Sequence, residues 1–254
     1  MCPILFKLGG LALYAYGSIL AFGFISGGAL ILLKSRREGI SLDRMIDLFC
    51  LAIFSALVGS RGLHVLLNLH SFREDPIKIF RIWEGGLVFY GGFLLAIGAA
   101  VGYMRWYRLP TWKIADLFAP SIALGLFFAR IGCFMAGCCY GKETSLPWGV
   151  TFTDPLSLAR LHIPLHPTQL YEAAGGLFLF LSFIWMEKKK SYDGQIFWLF
   201  LLLYSILRFL IEFVRDDPRG FLFETFLSTS QTLGILLAIL SHFMLNYLGR
   251  RHRR

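Results

Sequence analysis

Long apolar runs separated by short polar connections extend through the whole of this chain. A helix needs roughly 20 mainly apolar residues to cross the hydrocarbon core of a bilayer, and the runs have about that length. The pattern therefore predicts seven membrane-spanning helices, at about residues 11–33, 46–69, 87–104, 116–137, 169–185, 195–214 and 228–248. The longest polar connection, at about 138–168, predicts a small head between the fourth and fifth spans.

The composition is that of a membrane protein. Hydrophobic residues make up 56% of the chain and charged residues 16%, against roughly 45–50% and about 25% in ordinary soluble domains. Neither an internal repeat nor a flexible linker divides the sequence, so we expect residues 1–254 to form one all-α domain, a polytopic membrane helix bundle. The N-terminal residues lack the basic, apolar and small-residue regions of a cleaved signal peptide.

Basic residues distinguish the two sides of this bundle. Alternate connections carry most of the lysines and arginines, and the positive-inside rule places those connections in the cytoplasm. Their basic residues are Lys34, Arg36, Arg37, Arg44, Arg105, Arg108, Lys113, Lys188, Lys189, Lys190, Arg250, Arg251, Arg253 and Arg254. The N-terminus and the head are then expected outside, and the C-terminus in the cytoplasm. The net charge of +9 therefore indicates topology and contact with anionic lipid, not binding to nucleic acid.

Two arginines within the predicted spans point to function. Arg208 in the sixth span and Arg130 near the end of the fourth each cost about 2.5 kcal/mol or more at membrane depth, so such residues normally face a polar cavity. Glu212 and Arg215 follow Arg208 at spacings that place all three on one helical face. Because guanidinium groups match phosphate oxygens two at a time, Arg130 and Arg208 predict a site for a phosphate-bearing lipid.

The same residue types also have a purely structural interpretation. Arg208 and Glu212 could form a salt bridge that only ties helices together. Arg61, with His64 and Asn68 at helical spacing, fits an interhelical hydrogen-bond network as well as a second polar stripe in a cavity.

The cysteine cluster Cys133, Cys138 and Cys139 has the pattern C-x4-C-C, which we do not interpret as a metal site. The paired spacing of zinc ligands is absent, and no nearby histidine completes a tetrahedral set. A position outside the cytoplasm permits a disulfide, which would leave one of the three thiols over.

Five short motifs, in this order along nearly the whole chain, resemble those of the prolipoprotein diacylglyceryl transferase family. They are Tyr16-Gly17, IWEGGLVFYGG at 82–92, ARIGCFMAGCCYG at 129–141, HPTQLYE at 166–172 and RFLIEFVRDDP at 208–218. The resemblance implies a bacterial inner-membrane protein with seven membrane helices, an extracytoplasmic N-terminus and a small outer head over a lipid-filled cavity.

Transfer of the diacylglyceryl group of phosphatidylglycerol is the activity that this resemblance implies. The acceptor is the thiol of the lipobox cysteine in a prolipoprotein signal peptide; a thioether forms and glycerol phosphate leaves. The implied partners are phosphatidylglycerol, prolipoprotein signal peptides and membrane lipids, and no cofactor is required. The chemistry needs a thiolate, donors for the departing phosphate and exclusion of water.

The positions that match the family motifs supply the expected site residues. Arg130 and Arg208 correspond to catalytic arginines that handle the phosphate, while Glu212 and Glu172 are expected to hold arginines in place. The other residues expected to contact substrate are Tyr16, Gly132, Gly137, Gly141, His166 and Arg215.

The chain departs from the family pattern at two places. Tyr90 stands in FYGG where many members have a histidine that is proposed as the base, and a phenol is a poor base at neutral pH. Tyr90 is therefore a candidate catalytic residue either as an ionised base or as a hydrogen-bond donor to phosphate, with His166 and the lipid phosphate as alternative bases. The second departure is Cys133, Cys138 and Cys139, where other members carry polar or acidic side chains.

Two other functions remain open at this level. A non-catalytic phospholipid-binding homologue fits the replacement of the histidine by Tyr90. An anion channel or transporter would place the arginines along its path, although such proteins more often show repeated halves or broken helices, and the sequence shows neither.

Overall fold

A computed structural model describes residues 3–8, 11–216 and 228–253, and the chain separates into two compact units. The first unit comprises Met1–Ile31 and Ala115–Arg254, and the second comprises Leu32–Ile114. Asp217 and Pro218, at the end of the RFLIEFVRDDP motif, lie outside the described residues, as does Arg254 of the predicted cytoplasmic set.

Helices make up most of both units. In chain order they are α1 (Ala15–Arg37), α2 (Leu42–Leu67), α3 (Leu69–Glu74), α4 (Phe89–Trp106), α5 (Thr111–Ala136), α6 (Thr168–Met186), α7 (Gln195–Glu212) and α8 (Thr229–Arg253). Short strands form two antiparallel pairs, β1 (Ile4–Leu8) with β2 (Leu11–Tyr14), and β3 (Val150–Thr151) with β4 (Pro164–Leu165).

Six of the described helices are long and apolar enough to cross a membrane, namely α1, α2, α5, α6, α7 and α8. The prediction of a polytopic, predominantly helical membrane protein is confirmed. The predicted third span corresponds to α4, which is not among the six. α4 is 18 residues long and has Arg105 in its last turn.

Several helix boundaries differ from the predicted ones by a few residues, among them the starts of α1 and α5. The apolar residues Leu11–Tyr14 form a strand, and the first helix begins at Ala15. The fourth predicted span begins at Thr111 instead of Asp116. Asp116 is 2% exposed, and its carboxylate accepts hydrogen bonds from the backbone N–H groups of Gly194 at 2.8 Å and Phe197 at 2.9 Å. Because a carboxylate is stabilised at a helix N-terminus, α5 contains this charge and uses it to cap α7.

A core of apolar side chains holds α5, α6 and α7 together in the first unit. Its fully buried members are Ala119, Ala123, Leu179, Phe183, Ile196 and Phe200. At Gly176 a Cβ atom would lie 3.1 Å from the backbone oxygen of Ala123, so α5 and α6 approach closely. Arg130, Glu172 and Arg208 lie beyond this core on the same three helices, all toward the same end.

The segment between α5 and α6 is a small folded region with its own apolar centre. That centre consists of Phe152, Ala159 and Leu165. The backbone N–H of Gly141 donates to the oxygen of His166 at 2.9 Å, and Gly141 also forms an antiparallel bridge with Arg215. The segment is therefore fastened to the residues that follow α7.

Arg61 in the second unit has a structural role. It is 7% exposed, and its guanidinium donates to the carbonyl oxygens of Ile79 at 2.9 Å, Gly85 at 2.6 Å and Gly86 at 3.1 Å. These contacts fasten the connection between α3 and α4 onto α2. They support the interpretation of Arg61 as part of a satisfied network.

Candidate active site

A single buried carboxylate, that of Glu172, is contacted by three arginines. The side chain of Glu172 is 0% exposed, and its Oε2 lies 2.7 Å from Nη2 of Arg130. Its Oε1 lies 2.7 Å from Nη1 of Arg215 and 3.8 Å from Nη1 of Arg208. The structure therefore brings together Arg130 and Arg208, which were predicted from separate spans, and adds Glu172 and Arg215 as their neighbours.

These four side chains come from four parts of the first unit. Arg130 lies near the end of α5, Glu172 in the second turn of α6 and Arg208 in the second half of α7. Arg215 follows α7 and is positioned by its bridge to Gly141. Opposite charges converge here because a lone ion removed from water costs several kcal/mol, and a partner offsets that cost.

Glu212 supplies a second carboxylate to this cluster. Its Oε2 lies 2.6 Å from Nη2 of Arg208, one helical turn earlier, and its Oε1 accepts a hydrogen bond from the hydroxyl of Ser228 at 2.7 Å. The same Nη2 of Arg208 donates weakly to the hydroxyl oxygen of Ser230 at 3.4 Å. The expected pairing of Glu212 with Arg208 is present, and it does not use all the donors of Arg208.

Two buried nitrogens of the cluster, Nε of Arg130 and Nη1 of Arg208, lack a hydrogen-bond partner among the described residues. The Arg130–Glu172 contact is close enough for an ion pair, but its orientation is not that of a hydrogen bond, since Oε2 of Glu172 also lacks a hydrogen-bond partner. An unmatched buried donor costs about 1–3 kcal/mol, and more when it is charged. An oxyanion bound beside these arginines would satisfy donors for which the described residues supply no acceptor.

Tyr16 and the three predicted glycines pack around the end of α5. A Cβ atom on Gly132 would lie 3.2 Å from Cδ2 of Tyr16, so the ring rests on the α5 backbone. Gly137 ends the helix with φ +77°, a conformation that glycine adopts without strain. A Cβ on Gly141 would lie 2.6 Å from Cβ of His166. These contacts explain why glycine occupies the three positions, and the predicted contacts with substrate remain predictions.

The three cysteines lie together immediately beside the arginine cluster. The Sγ atoms of Cys133, Cys138 and Cys139 are all within 4.8 Å of one another. Hydrogen bonds with the thiols of Cys133 and Cys138, together with the charge of Arg215, lower the pKa of Cys139 below that of an ordinary thiol.

Two residues of the HPTQLYE motif that the sequence analysis did not select, Thr168 and Gln169, fasten the cysteine turn. The hydroxyl of Thr168 donates to the carbonyl oxygen of Cys139 at 2.7 Å, and Nε2 of Gln169 donates to that of Cys138 at 2.7 Å. Both side chains are 0% exposed. The sequence could have indicated this role, because both residues are polar and stand at the start of an apolar run, and a buried polar side chain needs a hydrogen-bond partner.

The two candidate bases differ in their surroundings. His166 is half-buried, and its Nδ1 lies 3.2 Å from the hydroxyl oxygen of Tyr171, which also accepts a hydrogen bond from Nε1 of Trp148 at 2.9 Å. Tyr90 belongs to the second unit, where it lies in the first turn of α4 and is 48% exposed. The role of each as a base remains a prediction.

An apolar groove of about 400 Å³ opens between α1 and α5 of the first unit. It is lined by Ser18, Ile19, Phe22, Phe127, Phe128 and Ile131. The α5 part of this lining lies next to Arg130 in the sequence, and the α1 part lies one turn after Tyr16. The groove offers the apolar lining that a hydrocarbon chain needs.

Known proteins resemble this chain along nearly its whole length. Residues 3–247 match the family model described as prolipoprotein diacylglyceryl transferase. The chain is 35% identical to the phosphatidylglycerol–prolipoprotein diacylglyceryl transferase of Clostridium tetani, over 97% of each chain. It is 35% identical to the protein of that name from Geobacter sulfurreducens, over 98% of this chain and 96% of the relative. For a strain of Nitratidesulfovibrio vulgaris the identity is 37%, over 91% and 88%.

Proposed function

This chain belongs to the prolipoprotein diacylglyceryl transferase family, and we propose that it transfers the diacylglyceryl group of phosphatidylglycerol to the lipobox cysteine of prolipoproteins. A thioether forms and glycerol phosphate leaves, which is the first step of lipoprotein maturation. The observation that carries the site assignment is the convergence of Arg130 and Arg208 on Glu172, with two buried donors that no residue in the described part of the chain accepts from.

The phosphate of the lipid occupies the open side of the arginine cluster. Nε of Arg130 and Nη1 of Arg208 donate to its oxygens. During transfer the phosphate gains charge as the bond to the glyceryl carbon breaks. Guanidinium groups already positioned by Glu172 and Glu212 stabilise that charge without having to reorganise.

Glu172, Glu212 and Arg215 position these arginines. Removing the carboxylates would leave several guanidinium groups repelling one another, whereas their presence holds each fork in one orientation. The acyl chains enter the apolar groove between α1 and α5. Apolar walls on this side exclude water, which would otherwise compete with the thiol for the lipid.

The remaining assignments complete this proposal. Tyr90 donates a hydrogen bond to the phosphate or acts as base, with His166 as the alternative base. The small region between α5 and α6, including Gly137 and Gly141, admits the signal peptide. The protein has seven spans in one domain of the bacterial inner membrane, with α4 as the third span, the N-terminus outside and the C-terminus in the cytoplasm.

Purified protein mixed with phosphatidylglycerol and a lipobox peptide tests the function directly. We expect a peptide product heavier by one diacylglyceryl group, whose glyceryl–sulfur bond resists hydroxylamine as a thioether does, and an equal amount of glycerol phosphate. A peptide with serine in place of the lipobox cysteine is the matched control and gives no product. Phosphatidylglycerol binding without turnover would indicate a lipid-binding homologue, and protein-dependent anion flux into vesicles would indicate a transporter.

A further inference from the structure

Three thiols lie close together beside the proposed phosphate site, and the binding of phosphate requires none of them. Cys133 lies in the last turn of α5, and Cys138 and Cys139 lie in the turn that follows. Gly137 at φ +77° and Cys139 at φ +63° reverse the chain there, so that all three Sγ atoms come within 4.8 Å of one another. A residue other than glycine is rarely found in this left-handed region, and such conformations concentrate at functional sites.

The spacing of these sulfur atoms suits a metal ion. Zinc binds thiolates at about 2.3 Å, so two sulfur ligands of a tetrahedral ion lie about 3.8 Å apart. The thiols therefore need to close by at most about 1 Å to share one ion. A disulfide would join only two of the three sulfur atoms, at about 2.0 Å, and would leave the third unused.

The cysteine turn is held in place without any metal. Thr168 and Gln169, both fully buried, donate hydrogen bonds at 2.7 Å to the carbonyl oxygens of Cys139 and Cys138. The sulfur atoms are thus presented by a backbone that the first turn of α6 fixes. Preorganised ligands lower the conformational entropy that metal binding has to overcome.

The charges around the cluster also fit a metal bound by three thiolates. Arg130 precedes Cys133 by one helical turn, and the positive charge of Arg215 acts on the thiol of Cys139. Arginines would repel a bare divalent cation. Three thiolates around a divalent cation carry a net charge of −1, however, so the complete site attracts these two neighbours.

We propose that Cys133, Cys138 and Cys139 bind one Zn²⁺ as three thiolates, and that its fourth position receives the thiol of the prolipoprotein cysteine. The second half of this statement rests on the proposed function. Soft thiolate ligands select Zn²⁺ among the common divalent ions, and zinc sites with three protein ligands keep their fourth position for water or substrate. A thiol that coordinates zinc is deprotonated outright.

A zinc site would explain how the substrate thiol is deprotonated although Tyr90 stands where many family members have a histidine. The substrate thiol loses its proton to solvent as it binds the metal, so no side chain has to act as its base. The sulfur then forms a bond to the glyceryl carbon, the bond from that carbon to the phosphate oxygen breaks, and its electron pair stays on that oxygen. The leaving glycerol phosphate takes a proton from solvent, and zinc keeps its oxidation state throughout. Arg130 and Arg208 stabilise the oxygen that leaves.

Metal content tests the site independently of activity. The full chain is purified in detergent with a reductant, incubated with zinc chloride and desalted, and zinc and protein are then quantified. We expect one zinc per chain for the unaltered protein and for Cys50→Ser, which removes an exposed thiol of α2, and about tenfold less zinc for Cys139→Ser. Cys138→Ser serves as a second cluster variant, and thermal unfolding shows which variants remain folded.

X-ray absorption at the zinc edge should show three sulfur atoms at about 2.3 Å. Replacing zinc by Co²⁺ gives a thiolate charge-transfer band, which a lipobox peptide should intensify and its serine counterpart should leave unchanged.

No zinc in the reduced protein, or equal losses in Cys50→Ser and the folded cluster variants, overturns the metal site. A bound metal whose cobalt spectrum ignores the cysteine peptide overturns the substrate position. If metal and spectrum behave as expected but no thioether forms from phosphatidylglycerol, the transferase proposal fails and the metal site stands.

Discussion

Nη2 of Arg130 lies 2.7 Å from Oε2 of Glu172, so the end of α5 and the start of α6 meet at an ion pair whose carboxylate is fully buried. The same carboxylate also faces Arg208 and Arg215. One acidic side chain thus orients three basic ones. The arginines are partly neutralised in this arrangement, which lets them remain in an apolar bundle. In the proposed function their remaining charge attracts a lipid phosphate.

Replacement of Arg208 by lysine separates charge from geometry. Lysine keeps the positive charge but loses the planar fork, so at least one charge-assisted hydrogen bond to phosphate is lost. Such bonds contribute about 1.5–3 kcal/mol, which corresponds to about 10- to 100-fold in rate. We expect kcat/KM for diacylglyceryl transfer to fall by this factor while the thermal unfolding midpoint changes little. Arg105→Lys, at the exposed end of α4, is the matched control, and normal turnover by Arg208→Lys would contradict the assignment.

Glu172→Gln should destabilise the protein because it removes the shared counter-ion of three guanidinium groups. Breaking a buried ion pair by removing one partner costs about 3–5 kcal/mol, so the unfolding midpoint should fall clearly. Added phosphatidylglycerol should stabilise Glu172→Gln more than the unaltered protein, since the lipid phosphate then supplies the missing negative charge. Circular dichroism melts with and without lipid measure both effects. Glu143→Gln, at an exposed position, should melt normally; an equal lipid effect in both variants would count against a phosphate site here.

Gly141→Ala tests the close packing between the small region and the end of α7. The added Cβ would lie 2.6 Å from both Cβ of His166 and the backbone oxygen of Val214, so the backbone must move. We expect a loss of about 1–3 kcal/mol in the free energy of unfolding and lower transfer activity. Gly125→Ala adds the same atom on α5 where nothing lies within 4 Å, and it should be neutral or slightly stabilising. Similar behaviour of the two variants in denaturant titrations would show that the close approach does not exist.

Arg61→Met distinguishes a structural arginine from a functional one. Its loss leaves the carbonyl oxygens of Ile79, Gly85 and Gly86 without their donor, so the free energy of unfolding should fall by about 2–4 kcal/mol. The affinity for phosphatidylglycerol should not change at a temperature where the variant is folded. Equilibrium binding of a fluorescent phosphatidylglycerol provides the measurement. A large loss of affinity with an unchanged melting temperature would instead place Arg61 in the lipid site.

The sequence located the most important charges because their environment is so unusual. A guanidinium in a long apolar run is expensive unless it meets an anion, and that argument alone selected Arg130 and Arg208. It also predicted that Glu212, one turn after Arg208, would pair with it, because residues four apart share a helical face. The same reasoning could not decide the role of Arg61. Polar residues at helical spacing are expected both for a satisfied hydrogen-bond network and for a polar stripe that faces a cavity.

Hydropathy and helical periodicity thus determined the class of protein, most of its spans and the residues that needed an explanation. Tertiary packing decided which of those residues meet. Glu172 became the common partner of Arg130, Arg208 and Arg215 only because α5, α6 and α7 converge on it. In the same way, the turn after α5 brings the Sγ atoms of three cysteines close together. Their spacing along the chain had argued against a metal site. Periodicity reports the face on which a side chain lies, whereas contacts between distant segments depend on how those faces pack.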